Sequence, residues 1–184
     1  MHPSHKLFHS FCIRPDTRFD TQQSEENVYL VLRAHPITLL PVLLNSFFMG
    51  IILVVSNAFF PSFFTPGQMV FADLFFTAFI GAYLWHGFIN WYFNVGIISD
   101  QRVVDVDFSL ILYKEVTYTL LSHIEDVTSK SGGFFNSLFN FGNLFVQTAG
   151  TEVNTEFMNI PHPSSAAKII DGIIQEQKSH GKLR

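Results

Sequence analysis

Residues 34 to 72 read AHPITLLPVLLNSFFMGIILVVSNAFFPSFFTPGQMVFA, with no Asp, Glu, Lys or Arg, and after the single Asp73 residues 74 to 93 continue LFFTAFIGAYLWHGFINWYF. At about 1.5 Å rise per residue, either run is long enough to cross a hydrocarbon core of roughly 30 Å, and a soluble core helix does not stay apolar on every face for that length. The pattern predicts a transmembrane helical hairpin over residues 36–93, with crossings at about 36–60 and 74–93. Pro36 suits a first helical turn, where its missing N–H costs nothing, and Pro61 ends the first crossing. Trp85, Trp91 and Tyr92 suit the headgroup level at the end of the second.

Charge sets the orientation. Lys6, Arg14, Arg18 and Arg33 precede the first run and Arg102 and Lys114 follow the second, while Pro61 to Asp73 has no cation. The positive-inside rule then predicts a multi-pass protein with both termini in the cytoplasm. The first apolar run begins too late and is too long for a cleavable signal, so both crossings are expected to persist.

Outside the hairpin the chain is ordinary and polar. The 22 Phe residues exceed what a soluble domain of this size needs, and many lie in or beside the apolar runs. One cysteine, Cys12, excludes an intramolecular disulfide and a Cys-rich zinc site. The formal net charge is −4, and acidic residues outnumber basic ones after Asn94, which argues against a nucleic-acid surface or a polybasic lipid patch.

Within the crossings, Asn45 and His86 fall at similar depths on antiparallel helices and are placed to hydrogen-bond across the hairpin. Ser46 and Gly50 on one helix and Ala78, Gly81 and Ala82 on the other are small residues at comparable depths, which favours close backbone approach. A proton relay through His86 and Asn90 is the functional alternative. Packing is the preferred reading, because two helices enclose no pathway.

From Asn94 the pattern turns to short β-rich stretches: residues 95–99, 102–108, 114–121, 124–129, 144–148 and 153–160. Between glycines, Phe134, Phe135, Leu138 and Phe139 have the spacing of a helical turn or two. After Pro163, a cap at Ser164 or Ser165 opens a helix with an apolar stripe of Ala167, Ile169, Ile170, Ile173 and Ile174. Asn27 to Arg33 is also strand-like and is placed to add a strand to the domain, whereas residues 1–23 are polar and aperiodic and read as a flexible tail. The organisation is thus a tail (1–23), a juxtamembrane segment (24–35), the hairpin (36–93), a cytoplasmic domain (94–178) and a short tail (179–184).

Several short motifs recur in order: Arg33-Ala34-His35-Pro36, Ser99-Asp100-Gln101-Arg102, Ile124-Glu125-Asp126-Val127, Leu138 through Phe141-Gly142, Thr148-Ala149-Gly150 and Ile160-Pro161-His162-Pro163. Together they make residues 25 to 175 resemble the membrane-flanked bacterial pleckstrin-homology family of the YdbS and YdbT type. The resemblance implies an α+β membrane protein. Its cytoplasmic part would be a pleckstrin-homology-like β-barrel or sandwich of two bent antiparallel sheets closed by a C-terminal helix. It implies no catalytic residue and no cofactor.

Other constellations are weaker. His2, His5, His9 and Cys12 match no defined metal motif and read as tail, so no metal is expected. Ser122, His123, Glu125 and Asp126 are hydrolase-type residues, but strand neighbours alternate faces and cannot converge as a triad. Glu125 or Asp126 is better placed to serve a turn and to pair with Arg102. Phe134, Phe135, Phe139 and Phe141 have two readings, plugs of a small core or a surface interaction patch. Arg102, Lys114 and Lys130 would form a small basic site if the fold gathers them.

The sequence therefore describes a non-enzymatic binding or scaffold module, anchored in the lipid bilayer and meeting a membrane or cytoplasmic protein partner through a strand edge or the aromatic patch. The alternative is recognition of lipid headgroups. A homo-oligomer is compatible with either, and nucleic acid is not expected.

Overall fold

The computed structural model describes residues 10–15, 22–23, 25–109, 113–149 and 154–181, apart from the side chains of residues 109, 113, 114, 135, 180 and 181. The elements are β1 (Phe11–Ile13), β2 (Val28–Leu32), α1 (Leu40–Phe59, led in by a 3-10 turn at Pro36–Leu39), α2 (Pro66–Phe93), β3 (Val95–Ser99), β4 (Arg102–Ser109), β5 (Tyr113–Leu120), β6 (Ile124–Lys130), α3 (Phe134–Phe139), β7 (Phe141–Thr148), β8 (Thr155–Pro161) and α4 (Pro163–Gly181). They form two compact units, residues 37–91 and the rest of the chain.

The first unit holds α1 and most of α2. Both helices are long and apolar enough to cross a membrane. Phe47, Ile52, Val54, Phe71 and Leu74 are exposed, and Ser46 is the buried residue of α1. Pro41 lies in the first turn of α1, where a missing N–H breaks no helical bond.

Helix α2 starts at Pro66, earlier than its apolar run suggests. Thr65 caps this end: its N–H donates to Gln68 Oε1 at 3.0 Å and its carbonyl accepts from the Met69 N–H at 3.1 Å, while Pro66 suits the first helical position. Asp73 consequently lies inside the helix.

The second unit is a mixed α+β domain with two antiparallel sheets, ordered β1-β2-β3-β4-β5 and β6-β7-β8. They pack as layers and do not close into a barrel, so the barrel form of the expectation gives way to two separate sheets. Leu30, Leu32, Ile98 and Val103 of the larger sheet meet Leu144, Val146, Phe157 and Ile160 of the smaller one. Helix α4 covers this core with Ala166, Ala167, Ile170, Ile173 and Ile174, the i, i+1, i+4, i+7, i+8 pattern of one helix face. Burial of these side chains contributes roughly 1.5–3 kcal/mol for each large aliphatic group.

Among the described residues of this unit, two glycines are required by close approach. A Cβ on Gly96 of β3 would overlap the Phe157 ring of β8, and one on Gly142 would lie 2.5 Å from the Lys130 carbonyl oxygen.

The segment expected to be a flexible tail contributes a strand. β1 pairs antiparallel with β2, matching Phe11 with Leu32 and Ile13 with Leu30. The Arg33 N–H donates to the Ser10 carbonyl at 2.9 Å and the Arg14 N–H to the Tyr29 carbonyl at 2.8 Å. Three residues are too few to show a period in sequence.

β2 and β3 are hydrogen-bonded neighbours, with Leu32 opposite Gly96. Since α1 and α2 lie between them in the chain, the helical hairpin is the connection between two adjacent antiparallel strands.

Candidate functional site

In the helical unit the polar residues pair differently from the expected Asn45–His86 bridge. Asn45 Nδ2 donates to Tyr83 Oη at 3.3 Å, while His86 Nε2 lies 3.1 Å from Asn90 Nδ2, one turn along the same helix. Ser46 Oγ donates back to the Val42 carbonyl at 2.8 Å. A Cβ added to Gly50 or Gly81 would meet nothing within 4 Å, and Ala78 and Ala82 are exposed. The tight approach is at Gly87, where a Cβ would stand 2.7 Å from Val42 Cγ1. Val42 and Gly87 have matching depths from the helix ends, so the depth argument that selected Asn45 and His86 also reaches this pair. At the other end of the hairpin, Asn57 Nδ2 donates to Asp73 Oδ1 at 2.8 Å.

In the β domain, the Ser99-Asp100-Gln101-Arg102 turn is a structural hub. Arg102 Nε and Nη2 donate to Glu26 Oε1 and Oε2 at 3.0 and 2.9 Å, a bidentate pair in which the Glu26 side chain is wholly enclosed. Burial pushes the Glu26 carboxyl up. The Arg102 hydrogen bonds, with help from Ser99 and the Gln23 N–H, outweigh it and hold the group below the usual carboxylate range. The Arg102 guanidinium also sits 5.2 Å over the Tyr118 ring. Asp100 accepts from the Asn27 N–H and Nδ2 at 3.1 and 3.2 Å, and Gln177 Nε2 of α4 donates to the Asp100 carbonyl. Glu26 thus replaces Glu125 and Asp126 as the partner of Arg102. Asp126 instead accepts from Thr128 Oγ1 at 2.8 Å.

These contacts also break up the expected basic site. Arg102 is committed to Glu26. Lys114 pairs with Phe108 at the other end of the β4–β5 ladder from Arg102, roughly 20 Å away at about 3.4 Å per residue, and its side chain lies outside the described residues. Lys130 ends β6, with its Nζ 4.7 Å over the Phe145 ring.

The aromatic group divides. Phe141 is buried, Phe134 and Phe139 are 77% and 43% exposed, Leu138 is exposed beside them, and the Phe135 side chain lies outside the described residues. Residues 131–141 carry no charge. The result is an uncharged apolar patch on α3, set on a fixed base.

That base is built by two histidines. His35, the residue before Pro36, stacks on Phe141 with ring centroids 5.6 Å apart and an interplanar angle of 23°, and its ring centroid lies 6.5 Å from that of Phe139. Its N–H donates to the Asn159 carbonyl at 2.6 Å. His162 meets Phe11 edge-on at 5.9 Å, and its Nδ1 lies 2.7 Å from Asn140 Nδ2. Asn140, Asn159 and His162 all have positive φ, between 49° and 53°, a left-handed conformation that Asn and His tolerate better than most residues. Burial, followed by the charge of His162, holds the His35 imidazole below its ordinary pKa. The motifs Arg33-Ala34-His35-Pro36 and Ile160-Pro161-His162-Pro163 therefore meet at α3, which their sequence separation concealed.

One electrostatic conflict remains. Asp107 of β4 directly opposes Glu115 of β5, and Asp105 lies two residues away on the same face. Burial, then Asp107 and Glu115, push the Asp105 carboxyl up to about 7.

Among the described residues no group of three or more His, Cys, Asp or Glu is placed to hold a metal ion. His2, His5 and His9 lie outside them, and Cys12 is a half-buried thiol on β1. Compared with family models, curated proteins and solved structures, the chain matches none.

Proposed function

We propose that this protein is a membrane-anchored binding or scaffold module. Its apolar hairpin crosses the bacterial inner membrane twice and holds a pleckstrin-homology-like domain at the cytoplasmic face. The carrying observation is the hairpin's position as the connection between the neighbouring strands β2 and β3. A connection of that kind leaves and returns at one side of the bilayer, and the cations at its ends favour the cytoplasm. Two stacked antiparallel sheets with a C-terminal helix over their core support the domain reading.

The contact surface in this reading is α3. Phe134, Leu138 and Phe139 form an uncharged exposed group, and such patches mark sites of interaction. His35 lies beside Phe139 and precedes the first apolar helix in the chain, so the patch is joined to the anchor through a short stretch of backbone. Headgroup recognition through Arg102 is less favoured, because that guanidinium is bound to Glu26.

Photo-crosslinking in membranes tests this. A crosslinker at position 134 or 138 is expected to capture one protein in near-stoichiometric yield, and one at exposed Glu125 is not. Capture of lipid alone from positions 134 and 138 would reject the protein-partner reading.

A further inference from the structure

The far end of the helical hairpin carries a feature that the scaffold reading leaves unused. Between Ala34 and Ser99, Asp73 is the one Asp, Glu, Lys or Arg. It lines an apolar cleft of about 520 Å³ between α1 and α2, together with Leu53, Phe60, Phe64, Met69 and Phe76. That volume falls within the roughly 300–1,000 Å³ of ordinary ligand clefts. Ionisable side chains in membrane-spanning helices are rare, and by default they are candidates for a functional site.

A purely structural role accounts for part of the arrangement. Asn57 Nδ2 donates to Asp73 Oδ1 at 2.8 Å and to the Leu53 carbonyl at 3.1 Å, tying the two helices together. This uses one carboxylate oxygen. Among the described residues, Oδ2 accepts no hydrogen bond. A carboxylate so placed has acceptor capacity left for a donor beside it.

Depth identifies the cation. Helix α2 has 28 residues, whereas about 20 span a 30 Å hydrocarbon core. Counting twenty back from Phe93 reaches Leu74, which leaves Asp73 at the headgroup boundary of the far leaflet. The cleft extends to both sides of Asp73, with Leu53 and Phe76 on the side of the core and Phe60, Phe64 and Met69 on the other. A carboxylate at headgroup level in the wall of an apolar cleft complements an amphiphile with a cationic head and a hydrocarbon tail.

The geometry points to a binding site for a phospholipid whose headgroup ends in a primary ammonium, with the ammonium on Asp73 and one acyl chain in the cleft. This rests on the reading of α1 and α2 as membrane crossings. An anionic lipid would set a phosphate beside Asp73 without a compensating cation and is disfavoured there.

Native mass spectrometry of the full chain, released from membranes and supplied with equal amounts of phosphatidylethanolamine and phosphatidylglycerol of matched chains, tests the site. The amine lipid is expected to be retained preferentially. Asp73→Asn should cut that preference by about tenfold, as loss of a charge-assisted hydrogen bond does, and Asp73→Glu should preserve it. Ala72→Trp, which fills the cleft but leaves Asp73 and Asn57 in place, should reduce retention of both lipids. Equal retention of the two lipids by the unaltered chain would overturn the site whether or not Asp73→Asn folds. So would high-yield disulfide dimers of Phe64→Cys in a Cys12→Ser background, which would give the cleft to a second copy. Carbonate extraction, run in parallel, reads the membrane assignment separately: release into the soluble fraction overturns that assignment and the site together, whereas retention without lipid preference overturns the site alone.

Discussion

Leu32 and Gly96 face each other across β2 and β3, and the whole apolar hairpin lies between them in the chain. This register makes the hairpin an insertion into one sheet, not an anchor tethered at one end. Because its connection begins and ends at adjacent strands, the domain can form its sheet only when both ends of the hairpin return together. Gly96 has a second duty at this point, since the Phe157 ring of the other sheet occupies the space a side chain would need.

Gly96→Ala is therefore expected to destabilise the β domain by about 1–3 kcal/mol, the usual cost of overpacking a filled core. Thermal unfolding of the detergent-solubilised chain measures it. Phe157→Leu should be harmful alone and should recover part of the loss when combined with Gly96→Ala. Additive effects in the double mutant would show that the two residues do not share this space.

Glu26→Ala should cost about 2–4 kcal/mol. Breaking a buried ion pair typically costs about 3–5 kcal/mol, but Arg102 keeps some contact with water. The folded carboxyl is held below its unfolded value, so its contribution is full above that unfolded value and is lost as the pH falls through the lowered one. Denaturant titrations of the parent and of Glu26→Gln should differ most at neutral pH and converge in acid. A constant gap down to the lowest pH would reject the pair as the origin of the effect.

Much of the architecture was legible because it depends on local pattern. The strands after Asn94 show β-branched and aromatic residues at short range, and the α4 stripe has a helical period. β1 was hidden because three residues have no period, and what fixes it is pairing with Val31 and its neighbours. The start of α2 was written in Thr65-Pro66-Gly67-Gln68, where Gln68 reaches back to the Thr65 N–H, a signal overshadowed by the charge of Asp73. Glu26 could not be assigned to Arg102 from sequence, since it lies in a polar stretch far upstream and only the β2–β3–β4 sheet order brings them together. The convergence of His35 and His162 on α3 is likewise a product of topology.

Asp105 predicts a pH response of the opposite sense. Its folded value of about 7 lies above the ordinary 3.8, so between these limits the folded state holds a proton that the unfolded state has released. Stability should therefore fall as the pH rises through this interval. Asp105→Asn removes the effect and should stabilise the protein at pH 8 by about 1–3 kcal/mol, allowing for solvent screening, with little change near pH 4. Melting temperatures of the two chains from pH 4 to pH 8 provide the comparison. A variant destabilised equally at every pH would show that the Asp105 carboxylate is not the strained group.

In the hairpin, the Val42–Gly87 contact makes a sharper prediction than composition does. Small residues in membrane helices often mark interfaces, and Gly50, Gly81 and Gly87 look equivalent in sequence. Space distinguishes them: a Cβ meets Val42 at Gly87 and nothing at the other two. Gly87→Leu should loosen the pairing of α1 with α2 at a cost of about 1–3 kcal/mol, whereas Gly50→Leu and Gly81→Leu should be nearly neutral. Val42→Ala should relieve part of the Gly87→Leu defect by removing the two methyl groups in the way. Thermal inactivation of detergent-solubilised chains, with a double-mutant cycle for the 42/87 pair, reads both effects. Equal sensitivity at all three glycines would mean that backbone flexibility governs hairpin stability, not the approach of the two helices at Val42.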